Sequence, residues 1–239
     1  MRAIFSFVFV AGLVGVLATP AAAQPVINEF VANHTGADTN EYIEVFGSPS
    51  TDLSNLWVVE IEGDSGQTGL VDDMTFNVGV TDANGIWWTG YTNNVLENGS
   101  VTILLVSDFT GVVGNDIDGD DNGVIDTTFW SSILDCVGVS DGGAGDLTYC
   151  STVLDSTVPP PGGFTPGGAS RIPNGVDTDS AADWALNDFD GAGIPGFPGT
   201  LDTISGEVLN TPGEVNMVPE PASVFLLGLG SLCLFRRRR

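Results

Sequence analysis

Across 239 residues, 31 Asp and Glu stand against six arginines and no lysine, a formal net charge of −25. Nucleic acid and anionic membrane surfaces are excluded as partners of such a body, because binding to both depends on Lys and Arg, whereas cations are attracted. The chain is nevertheless 42% hydrophobic with five tryptophans, too apolar for a solvated acidic tail, and its 32 Gly and 13 Pro imply many turns between short strands.

Residues 1–23 have the order of a secretory signal peptide. Arg2 precedes an apolar run from Ile4 to Leu17, and Ala21, Ala22 and Ala23 place small side chains before a cut between Ala23 and Gln24. No Asp or Glu lies in 1–23 or 222–239, and Arg171 is the only Lys or Arg of the body between them.

The body opens with Val26-Ile27-Asn28-Glu29-Phe30, a turn-rich stretch, and Glu41-Tyr42-Ile43-Glu44-Val45-Phe46, two segments rich in strand-favouring residues. After Asp52-Leu53-Ser54-Asn55-Leu56-Trp57, Val59 and Ile61 alternate with Glu60 and Glu62, the pattern of a half-buried strand with its acids toward water. Val101 to Val106 is almost continuously apolar, which predicts a central strand. With no helical period, the expectation is an all-β fold, an antiparallel β-sandwich.

The first blocks resemble the lamin-tail domain, with Asn55 where that family has Gly. A late block strengthens the likeness: Arg171-Ile172-Pro173-Asn174-Gly175, Asp183-Trp184 and Gly193-Ile194-Pro195-Gly196. The resemblance implies an immunoglobulin-like antiparallel β-sandwich over 24–205 that serves structure or partner contact without catalysis. It implies a fold more than a task.

Among candidate sites the sharpest is 116–126. Asp118, Asp120, Asn122, Gly123 and Asp126 occupy positions 1, 3, 5, 6 and 9 of an EF-hand-type calcium loop, with Val124 offering its carbonyl at position 7. Phe129 stands where a bidentate Glu completes such loops, so the expected affinity is about 10⁻⁴–10⁻³ M. The alternative is a solvated Asp/Gly turn. Cys136 and Cys150 are expected to pair in an exported domain, free thiols being the alternative; Cys233 has no partner there.

His34, the single histidine, sits in a polar turn and is expected to be an exposed loop residue. Glu29, Glu41 and Glu44 could be paired as glycosidase carboxylates, but solvent-facing strand positions are the preferred reading. Arg171 is expected to satisfy a buried carboxylate of the closing segment. Of the neighbours Trp87 and Trp88, one ring must face outward in a strand, a candidate platform for stacking on sugar together with Tyr91. Pro159-Pro160-Pro161-Gly162-Gly163 marks a long loop, and 206–217 is expected to be a tether.

The tail has three parts: Pro219-Glu220-Pro221, an apolar run over 222–235, and Arg236, Arg237, Arg238 and Arg239. Its fourteen apolar residues rise only about 21 Å as a helix against about 30 Å of hydrocarbon, a marginal span that snorkelling arginines could complete from the cytoplasmic side. This order, over 218–239, resembles the PEP-CTERM sorting signal. The resemblance implies an exosortase as processing partner, transient inner-membrane insertion through a 222–235 transmembrane helix, and final residence in the cell envelope or extracellular matrix. A permanent tail anchor is the alternative.

The expected function is therefore an exported structural or adhesive surface protein, in contact with exopolysaccharide or other surface proteins. A calcium-assisted carbohydrate-binding module of the exopolysaccharide matrix is the second reading. The third is a hydrolase, for which the chain lacks a Gly-x-Ser-x-Gly elbow and a phosphate loop.

Overall fold

The computed structural model describes residues 24–158, 165–197, 199, 201 and 206–216. The strands in chain order are β1 (Val26–Val31), β2 (Tyr42–Phe46), β3 (Leu56–Glu62), β4 (Val71–Asn77), β5 (Ile86–Trp88), β6 (Val101–Ser107), β7 (Ser132–Val139), β8 (Val153–Leu154), β9 (Gly168–Arg171) and β10 (Trp184–Leu186). They form two five-stranded sheets, ordered β10-β9-β1-β2-β5 and β4-β3-β6-β7-β8. A single turn of 3-10 helix, Ala181–Asp183, precedes β10, and among the described residues no helix is long and apolar enough to cross a membrane. The fold is all-β. Among the named strands it departs from a purely antiparallel design where β8 runs parallel to β7.

The main core lies between the sheets. Ile27, Phe30, Ile43, Val45, Ala169 and Trp184 of the first sheet meet Val58, Met74, Ile103, Leu105, Val137, Val139 and Leu154 of the second. The run read as a central strand is β6, paired on both sides and buried throughout. Its continuous apolarity has a second cause: the outer face of its sheet is also covered. Val59, Ile61, Leu104, Val106 and Ile117 form another cluster there, roofed by Phe109, Ile125, Phe129 and Trp130 from the connection between β6 and β7.

That second cluster inverts the expected facing of β3. Val59 and Ile61 point outward beneath the roof, while Glu60 and Glu62 share the inter-sheet side with Leu56 and Val58. Both acids are buried. An alternating pattern fixes which residues share a face but not which face meets water, and here both faces are covered.

Two other expectations fail for related reasons. Glu29, Glu41 and Glu44 are all buried rather than solvent-facing. In β1 the pairing register shifts between Ile27 and Glu29, so Ile27 and Phe30 both face inward although an unbroken period of two would separate them. His34 is buried as well, with its ring edge-on to Phe197 at 4.7 Å and Nδ1 3.0 Å from the Thr35 carbonyl.

Cys136 and Cys150 form a disulfide, with Cα atoms 5.8 Å apart and a sequence separation of 14. Closing a loop of that length stabilises by about 3 kcal/mol through the unfolded chain. The bridge ties β7 to the segment that leads into β8, whose two residues could not hold the sheet edge alone.

Candidate functional site

The outer face of the first sheet carries the most developed polar site. Glu29 of β1 and Glu44 of β2 are cross-strand neighbours on that face. Burial pushes both carboxyls above the ordinary value, Glu44 well above it because the charge of Glu29 adds to the effect. Glu29 is held by Tyr42, whose hydroxyl donates at 2.5 Å, by Asn187 Nδ2 at 2.9 Å, and by the Thr211 amide and hydroxyl at 2.9 and 2.7 Å. Glu44 accepts from Asn28 Nδ2 at 2.7 Å and from the Gly213 amide at 3.0 Å. Burial beside these carboxylates raises the Tyr42 phenol well above its usual value, so it remains a neutral donor.

Thr211 and Gly213 belong to the segment expected to be a free tether. Residues 206–216 instead lie across the sheet as a strap. Val208 bridges to Asn187 in parallel, and Asn216 Nδ2 donates to the carbonyls of Asn28 at 3.2 Å and Arg171 at 3.0 Å. A Cβ at Gly213 (φ +74) would come within 2.7 Å of Trp88 Nε1, so only glycine lets the strap lie this close to the indole. Asn and Thr give a sequence reader no apolar period, which is why the strap reads as a linker.

Beside the strap is a cleft of about 640 Å³, lined by Trp88, Tyr91, Pro195, Leu209, Pro212 and Val215 among others. Trp87 and Trp88 do face opposite sides: Trp87 packs on the main core, while Trp88 sits edge-to-face with Tyr91 at 5.2 Å and with Tyr42 at 6.1 Å. Tyr91 and Val215 are exposed at the rim. The cleft presents apolar and aromatic walls with the exposed carboxylate of Glu214 at its edge.

Arg171 is buried between the sheets. Its Nη2 lies 2.9 and 3.0 Å from the two oxygens of Asp135 in β7, its Nη1 donates to Asp177 at 3.0 Å, and Asp183 lies 3.6 Å away. Nε donates to the Ile27 carbonyl at 2.7 Å, and the guanidinium stacks on Trp184 with its carbon 4.6 Å from the ring centroid. The expected partner lay in the closing segment; the closest one is in β7, and Asp177 and Asp183 of the closing segment complete the set. This arrangement clamps three chain regions together and leaves no site for an anion.

The 116–126 loop forms part of the roof over β3 and β6. Asp118 is buried and accepts from the Gly123 amide at 2.7 Å, the Asn122 amide at 3.2 Å and the Tyr149 hydroxyl at 3.0 Å. Burial works against the charged carboxyl, but these donors outweigh it and hold Asp118 below the usual carboxylate value. Asp121 (φ 52) and Gly123 (φ 81) take left-handed backbone, giving the tight turn that positions 4 and 6 require. Asp118, Asp120 and Asp126 each bring an oxygen within 4.8 Å of the others. Asn122 Oδ1 accepts the Val124 amide at 2.8 Å, and the Val124 side chain is exposed. The loop thus gathers three of its five candidate ligands as carboxylates.

The PEP-CTERM protein-sorting motif matches residues 218–239. The chain carries this sorting motif. It implies processing by an exosortase, with export and transient membrane anchoring before a surface or extracellular location. Its residues Pro219, Glu220, Pro221 and Arg236 to Arg239, like the expected signal peptide and its cut after Ala23, lie outside the described residues; Gln24 donates from Nε2 to the Leu134 carbonyl at 3.0 Å. The lamin-tail resemblance of the body is not supported by a family match. No curated protein and no solved structure matches the chain.

Proposed function

We propose that the protein is an exported, exosortase-processed surface or matrix component whose body is a non-catalytic, lamin-tail-like module of immunoglobulin-like architecture. The observation that carries this reading is the sorting motif at 218–239 joined to an acidic β body. The two lie close along the chain, because Asn216 of the strap, anchored to Asn28 and Arg171, stands two residues before the motif. Processing near the motif would leave the strap and its contacts with the body in place. Deleting 218–239 is expected to shift the protein from the envelope to the medium, as read by fractionation and immunoblotting; unchanged fractionation would count against the reading.

A hydrolase is disfavoured by the state of its best carboxylate pair. Glu29 and Glu44 are fully buried, and Thr211 and Gly213 occupy them where a substrate would have to lie.

The cleft at Trp88 and Tyr91 favours a second reading, a calcium-assisted carbohydrate-binding module. Its aromatic walls suit the apolar face of a sugar ring, and the acidic body suits a neutral rather than an anionic glycan. Glycan pull-down with and without calcium separates this reading from a purely structural role. Calcium at 10 mM is expected to stabilise through the 116–126 loop by about 1.4–2.7 kcal/mol if its affinity is about 10⁻³–10⁻⁴ M. The variant to compare is Asp120→Ala with Asp126→Ala, both exposed, rather than Asp118→Ala, which would also orphan the turn's own amides. A calcium-induced rise in melting temperature of equal size in this variant would remove the loop from consideration.

A further inference from the structure

We propose that Glu62, Asp72 and Glu97, with the buried carboxylate of Glu60 beside them, form a second, unassigned calcium site where β3 ends and β6 begins, distinct from the 116–126 loop. Glu62, Asp72 and Glu97, drawn from β3, β4 and the connection before β6, each place an oxygen within 4.8 Å of the others. Such a cluster alone would be an ordinary acidic surface. Glu60 makes it more than that. Its side chain is fully buried, Oε1 accepts the Glu97 amide at 2.7 Å, and Oε2 has no hydrogen-bond partner. A buried carboxylate oxygen with an unused lone pair costs free energy unless something positive completes it.

No side chain supplies that charge. Among the described residues Arg171 is the only Lys or Arg, and it is committed to Asp135, Asp177 and Asp183. Without a cation the Glu60 oxygen stays unpaired beside three further carboxylates; one divalent ion supplies the missing charge.

The donor set selects the ion. Three mutually close carboxylates with that of Glu60 beside them, and neither sulfur nor imidazole, suit a hard cation. Calcium accepts oxygen ligands in flexible geometry whereas magnesium demands a near-ideal octahedron, so carboxylates gathered from separate chain segments favour calcium. The other two acidic groups differ in kind. Asp118 spends both oxygens on Asn122, Gly123 and Tyr149, and Asp64, Asp141 and Asp146 are engaged by Ser100, Ser65 and Gly143. Neither contains a buried carboxylate oxygen without a partner.

The test is calorimetric titration of calcium into the full-length chain with the loop disabled by Asp120→Ala and Asp126→Ala. One calcium ion should still bind, in the range of about 10⁻⁴–10⁻³ M typical of extracellular modules. Adding Glu62→Gln and Asp72→Asn should weaken that binding at least tenfold, and Asp72→Asn alone, at a half-exposed position, should weaken it while leaving the fold intact. In EDTA the Glu62→Gln, Asp72→Asn chain should melt no lower than its parent, because repulsion has been removed. Absence of calcium heat in the loop-disabled chain, or binding unchanged by both substitutions, would overturn the proposal. Because this site shares no residue with the loop or the sorting motif, its failure leaves the proposed function standing.

Discussion

Replacing Arg171 by methionine is expected to destabilise the domain by about 3–5 kcal/mol, the cost of leaving a buried carboxylate without its partner. For a chain of this size that corresponds to a fall in melting temperature of about 6–20 °C. The effect is large because Arg171 has no understudy. It is the only Lys or Arg among the described residues, buried between the sheets, and it neutralises Asp135 while touching Asp177, the Ile27 and Val176 carbonyls and the face of Trp184. Lysine should not rescue it, since an ammonium cannot reach these partners from one fixed plane. Converting Asp135 to asparagine in the methionine background should recover much of the loss, because the charge is removed while an oxygen remains for the Ile27 amide that Asp135 accepts at 2.7 Å. Thermal and chemical denaturation of the single and double variants measure this. A loss under about 1 kcal/mol for Arg171→Met would show that the clamp does not hold the sheets together.

Stability in the absence of divalent ions is expected to fall as pH rises above the ordinary glutamate value of 4.5, the reverse of common acid denaturation. Glu29, Glu44 and Glu60 all have raised values in the folded chain, burial being the first cause in each. The folded state therefore binds protons more tightly than the unfolded one. Their contribution is fully present below 4.5 and is lost as pH climbs through the raised values, at about 1.4 kcal/mol for each unit of difference. Asp118 and Asp183 act oppositely: their donors hold them below the ordinary aspartate value of 3.8, and their contribution disappears on strong acidification. The melting temperature in EDTA should accordingly peak in mild acid and decline toward pH 8. Glu44→Gln and Glu60→Gln should each flatten that decline. A melting temperature that climbs steadily from pH 5 to 8 would contradict the burial of these acids.

These two predictions concern residues whose roles were only partly legible. Arg171 drew attention by its isolation in the sequence, but nothing in its neighbourhood pointed to Asp135, 36 positions away and in the other sheet. The acids of β1, β2 and β3 depart from the expected facing for a common reason. Interleaved Glu and apolar residues mark a strand with two unlike faces, and water is the simplest environment for the polar one. Here the strap covers Glu29 and Glu44, and the packing of the sheets encloses Glu60 and Glu62. His34 went the same way, because a polar turn at Asn33 to Thr35 gives no sign that Phe197 will pack on its ring.

By itself the sequence determined the properties that are local or additive. These are the strands around Ile27, Ile43, Val59 and Ile103, the turn chemistry of the Asp118 to Gly123 loop, the near absence of cations from the body, and the sorting motif. Only the tertiary structure decided which face of each strand is enclosed, that 206–216 lies against the first sheet, and that Glu60 comes to rest among three other acids. The physical reason is that burial belongs to what packs over a strand, and the covering segments here come from up to 188 residues away, as between Asn28 and Asn216.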